Sequence, residues 1–447
     1  MPRHWGPQCR QNDPREEAVD AERPREDQFQ RSAVDGARPE QQSALLLHAI
    51  RQPYEVASDH AVPEIQNDTE LLVKVTAAGL NPIDWKSPDF NFGVPVFPFI
   101  SGRELSGVVV KAPNTPHARI REGDVVTIPS TDYRDLRKAA FQEYTIASSF
   151  NTIRLPHSVS AESGSILGVA FVSAVLALGI CMGVSFESVE DGPDLLSIVR
   201  SIDPARLPAD IRKECLENIC EADRAKAGDY LVIWGGSSTS AHLTMQVARL
   251  TGLKIVSVVD HAKHGIRLSS HATTRADLLV DSHDPERAIA IIKRATSDGA
   301  RFGFDTAGKD SAAQLLRALA SSSSSIASLP KEARNYERKD SKLPTPPSTP
   351  LEPAEEAPRS HLVGLTGLPK TDIPEDVTLH NVPIKLFHEI PEVGEALSAW
   401  CERLLVKGLL VPPDVVGTVE GLGAINDGLD RMRRREISGG RLVAVLQ

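Results

Sequence analysis

The sequence is poor in the residues that mark several common protein classes. Its 447 residues include only five cysteines, with no C-x-x-C pair, and 5% aromatic residues. Such scattered cysteines are too few for a disulfide framework or a cysteine-rich zinc lobe, and they favour a reducing compartment, which we expect to be the cytoplasm. The formal net charge is −10, and no sustained run of lysine and arginine is present. We therefore expect no nucleic-acid partner, because phosphate contacts need a basic footprint.

Long apolar runs are also scarce. Residues 1–42 combine arginines with many acids and almost no apolar residues, which is unlike a secretory signal and predicts a disordered tail. One uncharged run, from Ile166 to Val184, is about as long as a membrane span needs to be. Its flanks are acidic on both sides, so no lysine or arginine asymmetry would orient it. Its small residues favour a helix buried between two domains, and we expect no membrane partner.

Two patterns divide the rest of the chain. Residues 43–165 contain short runs rich in valine and isoleucine, separated by proline, glycine and asparagine, which predicts a compact β-rich domain. Residues 166–366 include strands that alternate with single helices, which predicts a parallel, doubly wound sheet and an α/β fold class. Ligands of such sheets bind at the carboxyl ends of the strands. Residues 367–447 then add two helical patterns and a final strand.

Two stretches of residues 166–366 have the character of insertions. Residues 186–226 are acidic and only weakly periodic, and residues 321–359 are rich in serine and proline and cannot bury a core. A linker of the second kind is uncommon inside one sheet. We expect it to be disordered, with a segment for proline-directed phosphorylation as the alternative.

The stretch IWGGSSTSAH, residues 233–242, joins a predicted strand to a predicted helix. Matched to the dinucleotide fingerprint G-x-G-x-x-G/A, it has Gly236, Ser238 and Ala241 at the three positions. The first and third fit. The serine at the second could still donate its hydroxyl to a phosphate oxygen near the positive end of the helix. The alternative is that the hydroxyl residues only cap the helix; they are Ser237, Ser238, Thr239 and Ser240.

The residues after the second predicted strand favour a dinucleotide site. Asp260 ends that strand 19 residues after the third fingerprint position, where a carboxylate would meet the ribose of an adenosine. His261, Lys263, His264 and Arg267 follow as a small basic cluster that would suit a ribose 2′-phosphate. The alternative for this cluster is an ordinary solvated helix start.

Several segments carry a resemblance to a known group; they are AAGLNPIDWK, SGRELSGVV, REGDVV, AFQEYT, GVAFVSAVLALG, GDYLVIWGGSS and ISGGRLVAVL. Together they resemble the medium-chain dehydrogenase/reductase superfamily over nearly all of residues 43–447 outside the two insertions. Within it, the chain resembles most the zinc-free, quinone-oxidoreductase-like proteins, including fungal trans-acting enoyl reductases of polyketide pathways. The resemblance implies a GroES-like catalytic domain, a Rossmann domain and a cofactor in the cleft between them.

The resemblance also implies a reaction. The expected chemistry is metal-free hydride transfer from NADPH, with NADH as the alternative, to an activated carbon of an enone, an enoyl thioester or a quinone. Asp84 and Arg103 stand where zinc-dependent members carry ligands, and because arginine cannot bind zinc we expect no metal site. A polyketide synthase is an implied partner. A non-catalytic nucleotide-binding relative is the second hypothesis, and a zinc alcohol dehydrogenase is a disfavoured third.

Site residues follow from the resemblance position by position. Lys86 would be the catalytic cation beside the acceptor oxygen or the nicotinamide amide, with a surface lysine as the alternative. Asp84 could equally cap a helix, and Ser173 could equally bond back to its own helix. The other expected cofactor contacts are Asn81, Pro82 and Asp84 beside the cofactor, residues 237–240 at phosphate, Asp260, His261 and Lys263 at the ribose, Ser173 in the cleft, Leu365 and Thr366 at the nicotinamide, Ser438 and Gly439 before the last strand, and Ser282, where relatives often carry an adenine-stacking tyrosine.

Overall fold

The computed structural model of the protein describes residues 39–113, 118–320 and 358–446. Three sheets organise these residues. The small sheet has the order β2 (Glu55–Ala61), β1 (Gln41–Leu47) and β4 (Phe99–Ile100). The seven-stranded sheet has the order β15 (Val415–Glu420), β16 (Arg441–Val445), β3 (Glu70–Gly79), β5 (Glu104–Lys111), β6 (Val125–Pro129) and β8 (Ile153–Arg154), and β7 (Tyr144–Ser148) also pairs with β3.

The third sheet is six-stranded, and every neighbouring pair in it is parallel. Its order is β11 (Leu278–Asp281), β10 (Lys254–Val259), β9 (Tyr230–Trp234), β12 (Phe302–Asp305), β13 (Ser360–Gly364) and β14 (Val377–Asn381). The chain runs from β9 towards one edge and then returns to β12 on the other side of β9. This reversal opens a crevice at the carboxyl ends of β9 and β12, where ligands of doubly wound sheets bind. The expected α/β architecture, a β-rich unit beside a doubly wound parallel sheet, is confirmed.

Helices connect the strands and cover the sheets. Their bounds are α1 Pro82–Phe90, α2 Ala161–Gly164, α3 Gly168–Leu176, α4 Leu195–Ser201, α5 Arg212–Glu217, α6 Thr239–Leu250, α7 His261–Ser270, α8 Pro285–Thr296, α9 Lys309–Leu319, α10 Lys385–Glu389, α11 Pro391–Val406 and α12 Ile425–Arg433, with a π-helical turn at Ala177–Cys181. Helices α6, α7, α8 and α9 each follow a strand of the six-stranded sheet, as single-helix crossovers between parallel strands require. Asp284 caps α8, and Pro285 occupies its first position, where a missing N–H costs nothing.

The last strand, β16, lies beside strands from both the first and the last part of the chain. β16 pairs antiparallel with β3 and parallel with β15, so the C-terminal strand lies within the β-rich sheet. The first residue of β16 is a buried arginine, Arg441, and the four residues after it are apolar. This placement brings a charge from the end of the chain to the side of the β-rich sheet that meets the phosphate turn described below.

The long apolar run is a core helix. The stretch Ala161–Cys181 is long and apolar enough to cross a membrane by length and composition, but 94% of its most apolar window is buried inside the protein. Phe171 lies 5.9 Å from the ring of Trp400, and Phe186 stacks on the same ring at 4.7 Å. This burial agrees with the expectation of an internal helix. The small residues of the run allow neighbouring elements to pack closely against it.

The acidic stretch 186–226 is folded, although its pattern is weakly periodic. It forms the short helices α4 and α5, and Leu195, Leu207 and Ile219 lie in the largest hydrophobic core cluster. Helices of six or seven residues leave little room for a helical period to show in the sequence. Residues 1–38 and most of the serine- and proline-rich stretch lie outside the described residues. β1 already begins at Gln41, so residues 41 and 42 belong to a strand rather than to the expected tail.

Candidate active site

The turn between β9 and α6, residues 235–240, is called the phosphate turn below. Gly235 has φ +85°, and a Cβ on it would overlap the Thr306 hydroxyl. A Cβ on Gly236 would overlap the Ser257 hydroxyl. Both backbone N–H groups donate to the carbonyl of Val258, at 3.0 and 3.1 Å, which holds the turn against β10. Glycine is required at both positions, so the chain makes a tight, closely packed turn at the crevice of the six-stranded sheet.

The Ser238 hydroxyl is committed to the protein itself. It caps α6 by accepting a hydrogen bond from the Ala241 N–H at 3.1 Å, and it donates to Thr306 Oγ1 at 3.0 Å. The hydroxyl therefore caps the helix, as the alternative supposed, and its role as a phosphate donor stays a prediction. Backbone N–H groups at the start of a helix have no partner within the helix, so those of Thr239 and Ser240 remain suited to an anion.

Arg441 reaches the phosphate turn from the other sheet. It is 8% exposed, its guanidinium hydrogen-bonds to the Thr239 hydroxyl, and its Nε has no hydrogen-bond partner among the described residues. Burial lowers the pKa of Arg441, while Glu104 and Asp84 raise it, and arginine stays protonated in proteins. The sequence analysis missed this residue. The only signal was a charge directly before an apolar strand.

The charged residues behind the turn form the junction cluster, which consists of Asp84, Arg103, Glu104 and Arg441. Asn81 links the two acids: its backbone N–H donates to Asp84 Oδ2 at 2.7 Å, and its amide donates to Glu104 Oε1 at 3.0 Å. Glu104 Oε2 also accepts from the Val169 N–H at the start of α3, at 2.9 Å. Burial raises the pKa of both carboxyl groups, opposed mainly by Arg103 for Asp84 and by Arg441 for Glu104. Asn81 is the N-cap of α1, and Asp84 stabilises the start of this helix as the third residue of a capping box. The expected contact of Asp84 with a cofactor stays a prediction.

Asp84 and Arg103 stand where zinc-dependent proteins carry ligands, but their side chains do not form a set of zinc donors. Arg103 is 7% exposed and lies between the rings of Phe99 and Tyr133, at 5.8 and 5.1 Å from their centres. The carboxylate of Asp84 accepts hydrogen bonds from Ser101 at 3.2 Å and from Asn81. A fixed guanidinium cation beside an engaged carboxylate does not fit a tetrahedral metal centre.

Lys86 lies on α1, half-buried. Its ammonium group is 5.6 Å from the ring centre of Trp85, and within the described parts of the chain it has no ion pair or hydrogen bond. Pro82, which opens α1, is exposed. The helix therefore carries, two residues after Asp84, a cation without an ion pair in the described parts of the chain. That this cation meets an acceptor stays a prediction.

The ribose-side residues gather at the carboxyl end of β10. Asp260 caps α7 by accepting from the Lys263 N–H at 3.1 Å, and its Oδ2 lies 3.5 Å from Lys263 Nζ and 3.8 Å from His283 Nε2. His283 was not foreseen. A hydrogen bond to Asp281 raises the pKa of His283, so this exposed ring stays protonated to higher pH than usual. His261 is exposed beside them.

Two other expected residues lie near this end of the sheet. Ser282 directly follows β11, and its N–H donates to Val259 at 2.8 Å. Ser438 hydrogen-bonds to His264 Nε2 at 2.8 Å, and Gly439, with φ +79°, lies against the same ring. The loop before β16 therefore packs on α7, beside the residues expected to meet the adenosine ribose.

The residues expected near the nicotinamide are more dispersed. Leu365 follows β13, and its N–H donates to the Asp305 carbonyl at 2.9 Å, while the neighbouring Thr366 is exposed. Ser173 donates to the Val169 carbonyl four residues earlier, at 2.6 Å, which is the backbone-bonded alternative. Asp305, at the end of β12, was not foreseen. It is fully buried, and one of its carboxylate oxygens has no hydrogen-bond partner in the described part of the chain. Burial raises its pKa to about 6.

The sequence of this chain is similar to those of several known proteins. Residues 67–157 match the alcohol dehydrogenase GroES-like domain. The trans-enoyl reductase eqxC of Fusarium heterosporum is 24% identical over 397 residues, which cover 88% of this chain and 95% of that protein. The trans-enoyl reductase caaB of Aspergillus niger is 28% identical over 255 residues, and the match spans 57% of this chain and 60% of the relative.

Solved structures share the fold of the β-rich domain and of the six-stranded sheet. A quinone oxidoreductase of Pseudomonas syringae superposes with a TM-score of 0.60 at 15% identity and covers 90% of this chain and 99% of its own. A mycobacterial protein complexed with NADPH superposes with a TM-score of 0.59 at 17% identity, covering 90% of this chain and 99% of its own. Residues 67–157 are thus similar to the GroES-like domain of alcohol dehydrogenases, and the chain is similar to trans-enoyl reductases in sequence and to quinone oxidoreductases in fold.

Proposed function

We propose that this protein is a metal-free, NAD(P)H-dependent reductase of an activated carbon–carbon double bond in an enoyl thioester or an enone, or of a quinone. One observation carries the proposal: the phosphate turn lies at the reversal of the six-stranded sheet, and Arg441 from the other sheet reaches it. A positive charge and free helix N–H groups at such a crevice suit a pyrophosphate. The reduced nicotinamide would supply the hydride.

The chain's own groups would hold the two ends of the cofactor. The N–H groups at the start of α6 and the guanidinium of Arg441 would bind the pyrophosphate. Asp260 would accept from the adenosine ribose, and Lys263 with His283 would neutralise a 2′-phosphate there. These two cations already lie within 4 Å of the Asp260 carboxylate, which lessens its repulsion of a phosphate. We therefore propose NADPH as the preferred cofactor, with NADH as the alternative.

Lys86 would act on the acceptor. As the double bond is reduced, negative charge grows on the conjugated carbonyl oxygen, and a cation held near that oxygen stabilises it. Lys86 suits the role because its ammonium has no ion-pair partner within the described residues, whereas the neighbouring carboxylates are already engaged. Arg103 is the second cation of this region and would fix the shape of the pocket from between Phe99 and Tyr133.

The partners are proposed on the same basis. The relatives are named trans-enoyl reductases, so the acceptor is proposed to be a small activated molecule or an acyl chain presented by a polyketide synthase, in a reducing compartment such as the cytoplasm. A second candidate is a nucleotide-binding relative without turnover. It is favoured by the altered second fingerprint position, because the Ser238 hydroxyl there already caps α6.

The test is steady-state oxidation of NADPH and NADH by the purified full chain, offered an α,β-unsaturated thioester, an enone and a quinone in turn. We expect turnover with at least one acceptor and product reduced at the carbon β to the carbonyl, or hydroquinone for the quinone. Saturable cofactor binding without turnover on any acceptor would favour the non-catalytic relative. Absence of cofactor binding would overturn both.

A further inference from the structure

A second polar cluster lies away from the candidate active site, on the far strand of the six-stranded sheet. It joins Cys181 from the π-helical turn of the core helix, Glu214 from α5 and His380 from β14. One potential ligand atom from each residue lies within 4.8 Å of the others. None of the three was expected from the sequence to be functional, because they are distant in the chain and belong to no motif.

His380 and Glu214 contact each other directly, and each of the two side chains has a further partner outside the cluster. His380 Nδ1 lies 2.6 Å from Glu214 Oε1, while His380 Nε2 lies 2.9 Å from Nδ1 of His361. Glu214 Oε2 accepts from the Asn218 amide at 2.7 Å. In metal sites, a ligating histidine bonds through its other ring nitrogen to a partner that fixes its orientation, and ligating carboxylates are themselves hydrogen-bonded. Both features are present.

The donor chemistry selects the class of metal. A thiolate sulfur, an imidazole nitrogen and a carboxylate oxygen are the three ligand types that zinc uses, with tetrahedral geometry. Cys181 and His380 are fully buried, and the Glu214 side chain is 11% exposed, which leaves a route for an ion from the surface. The sum of charges also fits, because a thiolate and a carboxylate neutralise a divalent cation and leave the buried site without net charge.

From this arrangement we propose that Cys181, Glu214 and His380 bind one zinc ion, with a water as the fourth ligand. The ion would tie together three separate parts of the protein: the end of the core helix, the acidic stretch 186–226 and the edge strand β14. Burial and Glu214 raise the pKa of the free Cys181 thiol well above its usual value, so metal binding displaces a proton from the sulfur. The site is separate from Asp84 and Arg103, and the expectation of metal-free catalysis is unaffected.

The test measures zinc content and cobalt spectra of the full chain. Protein purified from zinc-supplemented medium and desalted into metal-free buffer is analysed for bound metal by mass spectrometry. We expect about one zinc per chain in the wild type. Cys181→Ser and Glu214→Gln should lower zinc affinity by about tenfold or more. The controls are Cys401→Ser, a buried cysteine elsewhere, and Glu217→Gln, an exposed acid on the same helix; both should keep the metal.

Cobalt gives a readout that does not depend on the folding of a cysteine variant. Wild-type protein stripped with a chelator and reloaded with Co²⁺ should show the near-ultraviolet charge-transfer absorption of a cobalt–thiolate bond, and Glu214→Gln should weaken it. A wild type that binds no zinc at saturation would overturn the proposal. So would zinc retained equally by Cys181→Ser, or bound cobalt without the thiolate absorption.

Discussion

The phosphate turn and the junction cluster lie side by side but are built differently. In the turn, Ser238 bonds to a backbone group three residues later, and the glycines bond to the adjacent strand. In the junction cluster, Glu104 and Arg441 come from strands near opposite ends of the chain, and each compensates the buried charge of the other. A change in the turn should therefore act mainly on ligand binding. A change in the cluster should act first on the stability of the whole fold.

The strongest expected effect tests the cluster. Arg441→Met removes the buried cation that mainly compensates the Glu104 carboxylate, so we expect the free energy of unfolding to fall by about 3–5 kcal/mol. Urea unfolding measures this. Arg434→Met is the matched control, because Arg434 is exposed and its ion pair with Glu436 lies on the surface, and it should leave the urea midpoint nearly unchanged. Equal effects of the two substitutions would remove the distinction between the regions.

A substitution of Lys86, two residues after Asp84, tests whether a residue in this region can affect turnover without affecting stability. Because its ammonium has no ion pair within the described chain, Lys86→Ala should leave the urea midpoint nearly unchanged and lower kcat on the order of 100-fold. Lys111→Ala, an exposed lysine at the end of β5, is the control. Unchanged turnover in Lys86→Ala would remove this residue from the proposed site.

The smallest effect concerns the ribose end of the cofactor. His283→Ala should weaken NADPH binding by about two- to fivefold and leave NADH binding unchanged. The pH dependence has a defined sign. Because Asp281 raises the pKa of His283, its positive charge persists at low pH and is lost as pH rises through that pKa. Above about pH 7, where a phosphate monoester is already doubly charged, the preference for NADPH should fall with pH in the wild type.

The pH dependence of the His283→Ala variant tests whether His283 faces the 2′-phosphate. The NADPH preference of His283→Ala should depend less on pH than that of the wild type, when affinities are measured by fluorescence titration. A parallel pH dependence in both proteins would show that His283 does not face the 2′-phosphate. Lys263 would then be the cation to examine.

Sequence reasoning succeeded where the physics is local. The β9–turn–α6 unit, the two glycines and the capping alternative for Ser238 follow from neighbours a few residues apart. It failed where partners are distant. Arg441 and Glu104 show their roles only once β16 lies beside β3 and β5, and His283 shows its role only once β11 lies beside β10. The strand β14 and the short helices α4 and α5 were missed because their patterns are brief and their burial is set by tertiary packing.

The central claim is that the phosphate turn holds a nicotinamide dinucleotide, and the most direct test is a fluorescence titration of the full chain with NADPH. The wild type should bind saturably. Gly236→Ala should bind at least about tenfold more weakly, because the new Cβ overlaps the Ser257 hydroxyl and lies 3.0 Å from Val259 Cγ1, so the turn or its neighbours on β10 must shift. Gly423→Ala, where a Cβ meets its nearest neighbour at 3.9 Å, should bind as the wild type does. No saturable binding by the wild type, or undiminished binding by Gly236→Ala, would contradict the claim.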